Sequence, residues 1–115
     1  MKEAVVLDLE QFTGTEKYYK HFGGVVYTDG IKYLAEQAGC YWLIDLVASY
    51  QPKLKNAGFQ LWQIQVAPDN SAVVTCREDS DLPEIVKQAI PYTDFPLKTF
   101  EWYFIDGVML LQSEY

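Results

Sequence analysis

The sequence predicts an α+β domain, with N-terminal helices packed on one face of a mostly antiparallel sheet of about four strands. Three observations carry this. Apolar residues recur at helical spacing through residues 28–50. After Gly58 the period drops to two, the spacing of a half-buried strand. Helices that precede strands, rather than alternate with them, favour segregated layers over a doubly wound parallel sheet.

The elements follow in order. Residues 8–24 read as one or two short helices. Thr13 and Glu16 have capping-box spacing, Tyr18 and Phe22 lie one turn apart, and Gly23-Gly24 is a stop signal. Residues 28–38 form a firmer helix, with Thr28 or Asp29 as its cap and Ile31, Leu34, Ala35 and Ala38 along one stripe. Gly39 ends or kinks it. Residues 40–50 are apolar nearly all round, which marks a central helix, and Pro52 closes it. Trp62, Ile64 and Val66 alternate with Gln63 and Gln65. The turn signal at residues 68–71 leads into residues 72–77, rich in Val and Thr. Residues 78–84 are a polar loop. Residues 85–92 suit a strand better than a short helix opened by Pro83. Residues 98–105 alternate again, Asp106-Gly107 is a favoured hairpin turn, and residues 108–112 close the sheet.

The chain has 115 residues, the size of a single domain spanning 1–115, with 6 Phe, 9 Tyr and 3 Trp to build one core. Its formal net charge is −7, from 16 acidic and 9 basic residues. Arg77 is the sole arginine. Phosphate contacts need clustered Lys and Arg, so direct nucleic-acid binding is disfavoured, as is an anionic membrane surface. A basic protein partner fits the charge better. The short apolar stretch at residues 4–7, within an acidic segment, does not make an export signal. No apolar run reaches the roughly 20 residues of a membrane span. Cys40 and Cys76 therefore read as two reduced thiols in a cytoplasmic protein.

Several strings resemble a known family: Gln11-Phe-Thr-Gly-Thr-Glu-Lys-Tyr-Tyr, Tyr27-Thr-Asp-Gly-Ile-Lys-Tyr-Leu-Ala-Glu, Tyr41-Trp-Leu-Ile-Asp, Ser49-Tyr-Gln-Pro, Thr75-Cys-Arg-Glu-Asp, Tyr92-Thr-Asp-Phe-Pro-Leu and Ser113-Glu-Tyr. Together they cover nearly the whole chain and resemble the uncharacterised bacterial family numbered 6876 among domains of unknown function. The resemblance implies a small stand-alone bacterial protein, met in cyanobacteria and on mobile elements. It implies no activity and carries over no catalytic residue.

Few residues invite chemistry. His21, the only histidine, pairs with Cys40 as a candidate base and nucleophile. The plainer reading is a histidine near a helix end. Asp45 lies in the most apolar helix, where a buried carboxylate needs a partner or a raised pKa. It is a candidate acid, base or ligand anchor, with Trp42 and Ser49 one turn to either side. A structural hydrogen bond is the plainer reading. Tyr27 and Asp29 are candidate cleft residues, although capping alone explains Asp29. Glu78, Asp79, Asp81 and Glu84 form an acidic loop without calcium-loop spacing. No metal site and no cofactor is expected. Tyr18, Tyr19, Tyr27, Tyr33 and Tyr41 crowd the first half, and tyrosines suit both cores and interfaces.

The leading expectation is a non-enzymatic protein-interaction or regulatory module with an acidic, tyrosine-rich surface. One variant mimics nucleic-acid charge, with carboxylates spaced along one face. The alternative is a small enzyme or ligand-binding protein with a pocket between helices and sheet, using Asp45, His21 or Tyr27. A homodimer joined through residues 108–111 is a third expectation.

Overall fold

The computed structural model describes residues 8–115. The apolar stretch weighed against an export signal, residues 4–7, lies outside them. The element order is β1 (Tyr18–Lys20), β2 (Val26–Thr28), α1 (Asp29–Ala38), α2 (Tyr41–Tyr50), β3 (Phe59–Val66), β4 (Ala72–Arg77), β5 (Glu84–Ile90), β6 (Thr99–Ile105) and β7 (Val108–Leu111). All seven strands share one sheet, in the order β1-β2-β7-β6-β3-β4-β5. Neighbours are antiparallel except β2 and β7, which are parallel.

This corrects the expected α+β layout in two ways. The sheet is mixed and has seven strands, not about four. The two helices are mid-chain, between β2 and β3, not N-terminal. The error lies in residues 8–24, which form a strand and two 3-10 turns, Leu9–Gln11 and Phe22–Gly24. Side chains take the hydrogen bonds that a helix would have used. The Asp29 carboxylate accepts from the amides of Glu16 at 3.1 Å and Lys17 at 3.4 Å. The Thr15 hydroxyl donates to the Lys17 carbonyl at 2.6 Å. Such local bonds compete directly with helix formation. The two glycines then serve a hairpin rather than a helix stop: both have positive φ, and His21 N donates to Val25 O at 2.7 Å behind them.

The helices form where their apolar spacing predicts. In α1 the Thr28 hydroxyl accepts from Ile31 N at 3.3 Å, which satisfies one free amide of the first turn. Ile31, Leu34, Ala35 and Ala38 are buried. Gly39, left-handed at φ 62°, follows its last residue. In α2 Leu43, Ile44, Leu46, Val47 and Ala48 are buried. Tyr41, Asp45 and Ser49, four residues apart, are its exposed stripe.

Both helices pack on one face of the sheet. Side chains alternate along each strand, and the register aligns the buried ones: Trp62 opposes both Trp102 and Cys76, Phe104 opposes Met109, and Tyr27 opposes Met109. Trp62 and Trp102 are fully buried, with rings 6.3 Å apart and nearly parallel. Burying side chains of this size stabilises the fold by roughly 1.5–3 kcal/mol each. One polar network threads the core. Gln60 and Gln51 exchange amide bonds at 2.9 and 3.0 Å, and Trp62 Nε1 donates to Gln60 Oε1 at 2.9 Å. Among the described residues, Trp102 Nε1 is the buried side-chain polar atom without a partner.

The opposite face carries neither helix. On it lie Phe59, Tyr103, Ile105, Val108 and Leu110, all partly exposed and opposed in register. Tyr115 packs its ring against Tyr103 at 5.3 Å and Phe59 at 6.3 Å. At one edge, β5 is flanked by Pro83 and Pro91, with Lys87 at its middle and a register shift opposite Cys76 and Arg77.

The β2–α1 junction is tied to the far end of the chain by Glu114. Its Oε1 accepts from Thr28 Oγ1 at 2.6 Å and Leu111 N at 2.9 Å, and its Oε2 accepts from Gly30 N at 3.1 Å. Gly30 leaves room for this. A Cβ there would stand 2.5 Å from Leu111 Cδ1 and 2.6 Å from Glu114 Oε1. Gly30→Ala should therefore lower stability by about 1–3 kcal/mol through overpacking, despite the better helix propensity of alanine. Urea unfolding measures this, and an unchanged midpoint would show that the Glu114 contact is dispensable.

Candidate functional site

His21 and Asp45 meet. Strand β1 aims alternate residues at the helix layer, which puts His21 beside α2. There its Nε2 lies 2.6 Å from Asp45 Oδ1. Asp45 is open to water at 52% side-chain exposure, and His21 is mostly covered at 17%. Asp45 is thus not the buried carboxylate its apolar neighbours suggested, because it belongs to the exposed stripe of α2. Tyr27 stands edge-on to the imidazole at 6.2 Å, and Phe22 covers it at 4.6 Å. Asp45 can orient the ring and leave Nδ1 as the base.

Among the described residues, neither candidate nucleophile bonds to them. Cys40 is buried, and its Sγ lies 3.6 Å from Leu34 O. Burial, with Asp94 adding to it, pushes its thiol up to about 12. Cys76 is likewise buried, and its thiol is pushed up to about 12, chiefly by burial. A reactive thiol needs the opposite shift. Ser49 donates its hydroxyl to Leu46 O at 2.7 Å, and Trp42 packs against the core. Among the described residues, no three His, Cys, Asp or Glu side chains group to hold a metal ion.

Asp29 does more than cap. Thr28 is the residue that caps α1, and Asp29 organises residues 15–19. Beyond the two amides, its Oδ1 accepts from Tyr19 Oη at 2.9 Å, and its own amide donates to Thr15 Oγ1 at 3.0 Å. The Tyr19 hydroxyl and then the Glu16 amide hold its carboxyl below the usual carboxylate range. The same bond raises the Tyr19 phenol.

The acidic loop is built on itself. Asp79 accepts from Ser80 N at 2.6 Å, and Glu84 pairs with Arg77 at 3.2 Å. Asp69 caps its turn by accepting from Ser71 Oγ at 2.6 Å and Ser71 N at 3.0 Å. Carboxylates are also spread across the molecule: Glu101 lies on the uncovered face, Asp45 on the helix layer, and Asp69, Asp79 and Asp106 in turns or loops. Among the described residues, these five carboxylates do not share one face.

The feature that sequence reasoning missed is the uncovered face. Its aromatic cluster of Phe59, Tyr103 and Tyr115 adjoins a hollow of about 260 Å³, bounded by Tyr18, Thr28, Ile105, Leu110, Glu114 and Tyr115. The signal lay in residues 101–105, where Tyr103 and Ile105 are apolar on the side opposite Trp102 and Phe104. Strand β7 is paired on both sides, so it offers this face the side chains of Val108 and Leu110 rather than free backbone.

A family model described as "Family of unknown function (DUF6876)" matches residues 4–115. No curated protein and no solved structure matches the chain. No helix among the described residues is long and apolar enough to cross a membrane.

The Asp29 arrangement has a pH signature. Its carboxyl is lowered in the fold, so the folded state holds the proton less well than the unfolded chain. The stability this contributes is complete above the unfolded value of about 4 and is lost as pH falls through the folded value. Asp29→Asn should therefore show a shallower loss of stability below about pH 4 than the wild type. Urea midpoints across an acid series measure it, and identical slopes would remove Asp29 from the acid response.

Proposed function

We propose that this chain, which belongs to the DUF6876 family of unknown function, is a small protein-interaction or regulatory module that binds its partner through the uncovered face of the sheet. The observation that carries the reading is that face itself. One side of the sheet is buried under α1 and α2, and the other presents Phe59, Tyr103, Ile105, Leu110 and Tyr115 partly to water. Contiguous apolar surface rimmed by polar groups marks contact sites. Tyrosine serves them well, because it buries a large ring and keeps a polar tip. The net charge of −7 favours a basic partner by steering its approach. Two unpaired, buried thiols suit the cytoplasm.

A second reading rests on the His21–Asp45 pair: a small enzyme that uses His21 as a base in the notch between β1 and α2. The pair has the orienting geometry, but the Ser49 hydroxyl and the Cys40 thiol are both engaged with backbone carbonyls.

Two experiments separate these readings. Tyr103→Arg and Phe59→Arg should each weaken binding of a partner isolated from the native host by about tenfold or more, a loss of about 1.4 kcal/mol. Their melting temperatures should fall by less than those of core variants, because both positions are partly exposed and lie outside the helix-covered core. Full affinity in both variants would move the contact elsewhere. For the enzyme reading, wild type and His21→Ala are assayed on ester, amide and phosphate model substrates. Turnover that disappears in the variant would favour it, and equal background rates would remove it.

A further inference from the structure

The geometry points to a receptor for one cationic side chain in the hollow beside Tyr115, and we infer that a lysine or arginine of a basic protein partner fills it. This rests on the uncovered face being the contact surface, and it names the chemistry recognised there. The hollow measures about 260 Å³. Sites for drug-sized ligands run about 300–1,000 Å³, so a single side chain fits it better than a free metabolite.

Its walls divide by chemistry. Ile105, Val108 and Leu110 supply an aliphatic floor. Tyr18 and Tyr115 also line it, both largely in water at 61% and 78% exposure. Glu114 supplies a carboxylate. A long basic side chain matches this set along its length. Its methylene stem lies on apolar surface while its charged head stays with polar groups and water. Aromatic faces attract that head, and so does the carboxylate. An ionised carboxylate offers about four acceptor positions. Thr28, Leu111 and Gly30 take three at Glu114, which leaves one beside Gly30's bond on Oε2. An anionic ligand would meet Glu114 and the net charge of −7. A purely apolar side chain would desolvate the carboxylate without replacing its water.

The test is a titration of the isotopically labelled chain, followed by amide chemical shifts. The probes are a blocked glycine–lysine–glycine peptide, its arginine counterpart and its Nζ-acetylated counterpart. The lysine and arginine peptides should give saturable shifts at Ile105, Leu110 and Glu114, and the acetylated peptide should bind at least about tenfold more weakly. Tyr18→Ala should weaken the lysine peptide about two- to fivefold, the range of an exposed cation–ring contact. Glu114 also holds the start of α1, so exposed Tyr18 is the variant whose fold is not at stake. Shifts scattered over the acidic surface, or an equal response to the acetylated peptide, would overturn the inference. A silent hollow in a chain whose partner is still lost on Tyr103→Arg would overturn it alone and leave the contact surface standing. A saturable lysine response with a partner indifferent to Tyr103→Arg and Phe59→Arg would support the receptor and overturn the wider reading.

Discussion

The Glu114 carboxylate holds together parts of the chain that nothing local would join. Its partners Thr28 and Gly30 lie 86 and 84 residues away in sequence, and its third bond returns to Leu111 at the end of β7. With β7 fixed against β2, the β1–β2 hairpin becomes part of the sheet rather than a loose arm. Everything described at that end follows from it. His21 reaches α2 only because β1 is docked, and the hollow under Tyr115 exists only because the Gln112–Glu114 turn folds back beside Thr28. Charge-assisted bonds donated by backbone amides to a carboxylate are among the stronger hydrogen bonds, which suits a tie across such a separation.

The two faces of the sheet divide structure from recognition. The covered face spends its aromatics on packing: Trp62, Trp102 and Phe100 stack in series, and the Gln60–Gln51 amide pair satisfies the indole of Trp62. A polar network in a core is stabilising only when its members are paired, and this one is. Trp102 departs from the pattern with its unpartnered indole nitrogen. The other face keeps its aromatics partly in water, where they are free to meet another surface. The His21–Asp45 pair sits at the rim of the covered side, away from the wide apolar patch, and the Cys40 thiol and Ser49 hydroxyl are bonded to backbone carbonyls rather than to it.

Much of this was legible wherever one period dominates. The stripe Ile31, Leu34, Ala35 and Ala38 marks α1, and the alternation Trp62, Ile64 and Val66 marks β3. The turns at Asn70 and Asp106 carry positive φ, as their sequences suggest. Residues 8–24 were misread because Thr13 and Glu16 mimic a capping box, while the deciding contacts come from Asp29, which lies beyond the segment. Strand β2 has three residues, too few to show a period, and its parallel pairing with β7 is a long-range fact that no local pattern encodes. At the site, His21 and Asp45 stood out by residue type, but their meeting depended on that same unread hairpin. Asp45 looked buried because Leu43, Ile44, Leu46 and Val47 surround it in sequence. Tyr41 and Ser49, four residues to either side, show the water-facing stripe.

The long edge strand β5 bears on how the protein meets other chains. An unprotected strand edge is a template on which a second chain can add, leading to fibrils or swapped oligomers. Here prolines at 83 and 91 bracket the strand, Lys87 places a charge midway, and the irregular register near Arg77 breaks the run of regular bonding positions. The opposite edge, β1, has three residues. Neither margin invites unlimited growth, so a molecule with an exposed aromatic surface is guarded against polymerising through its backbone.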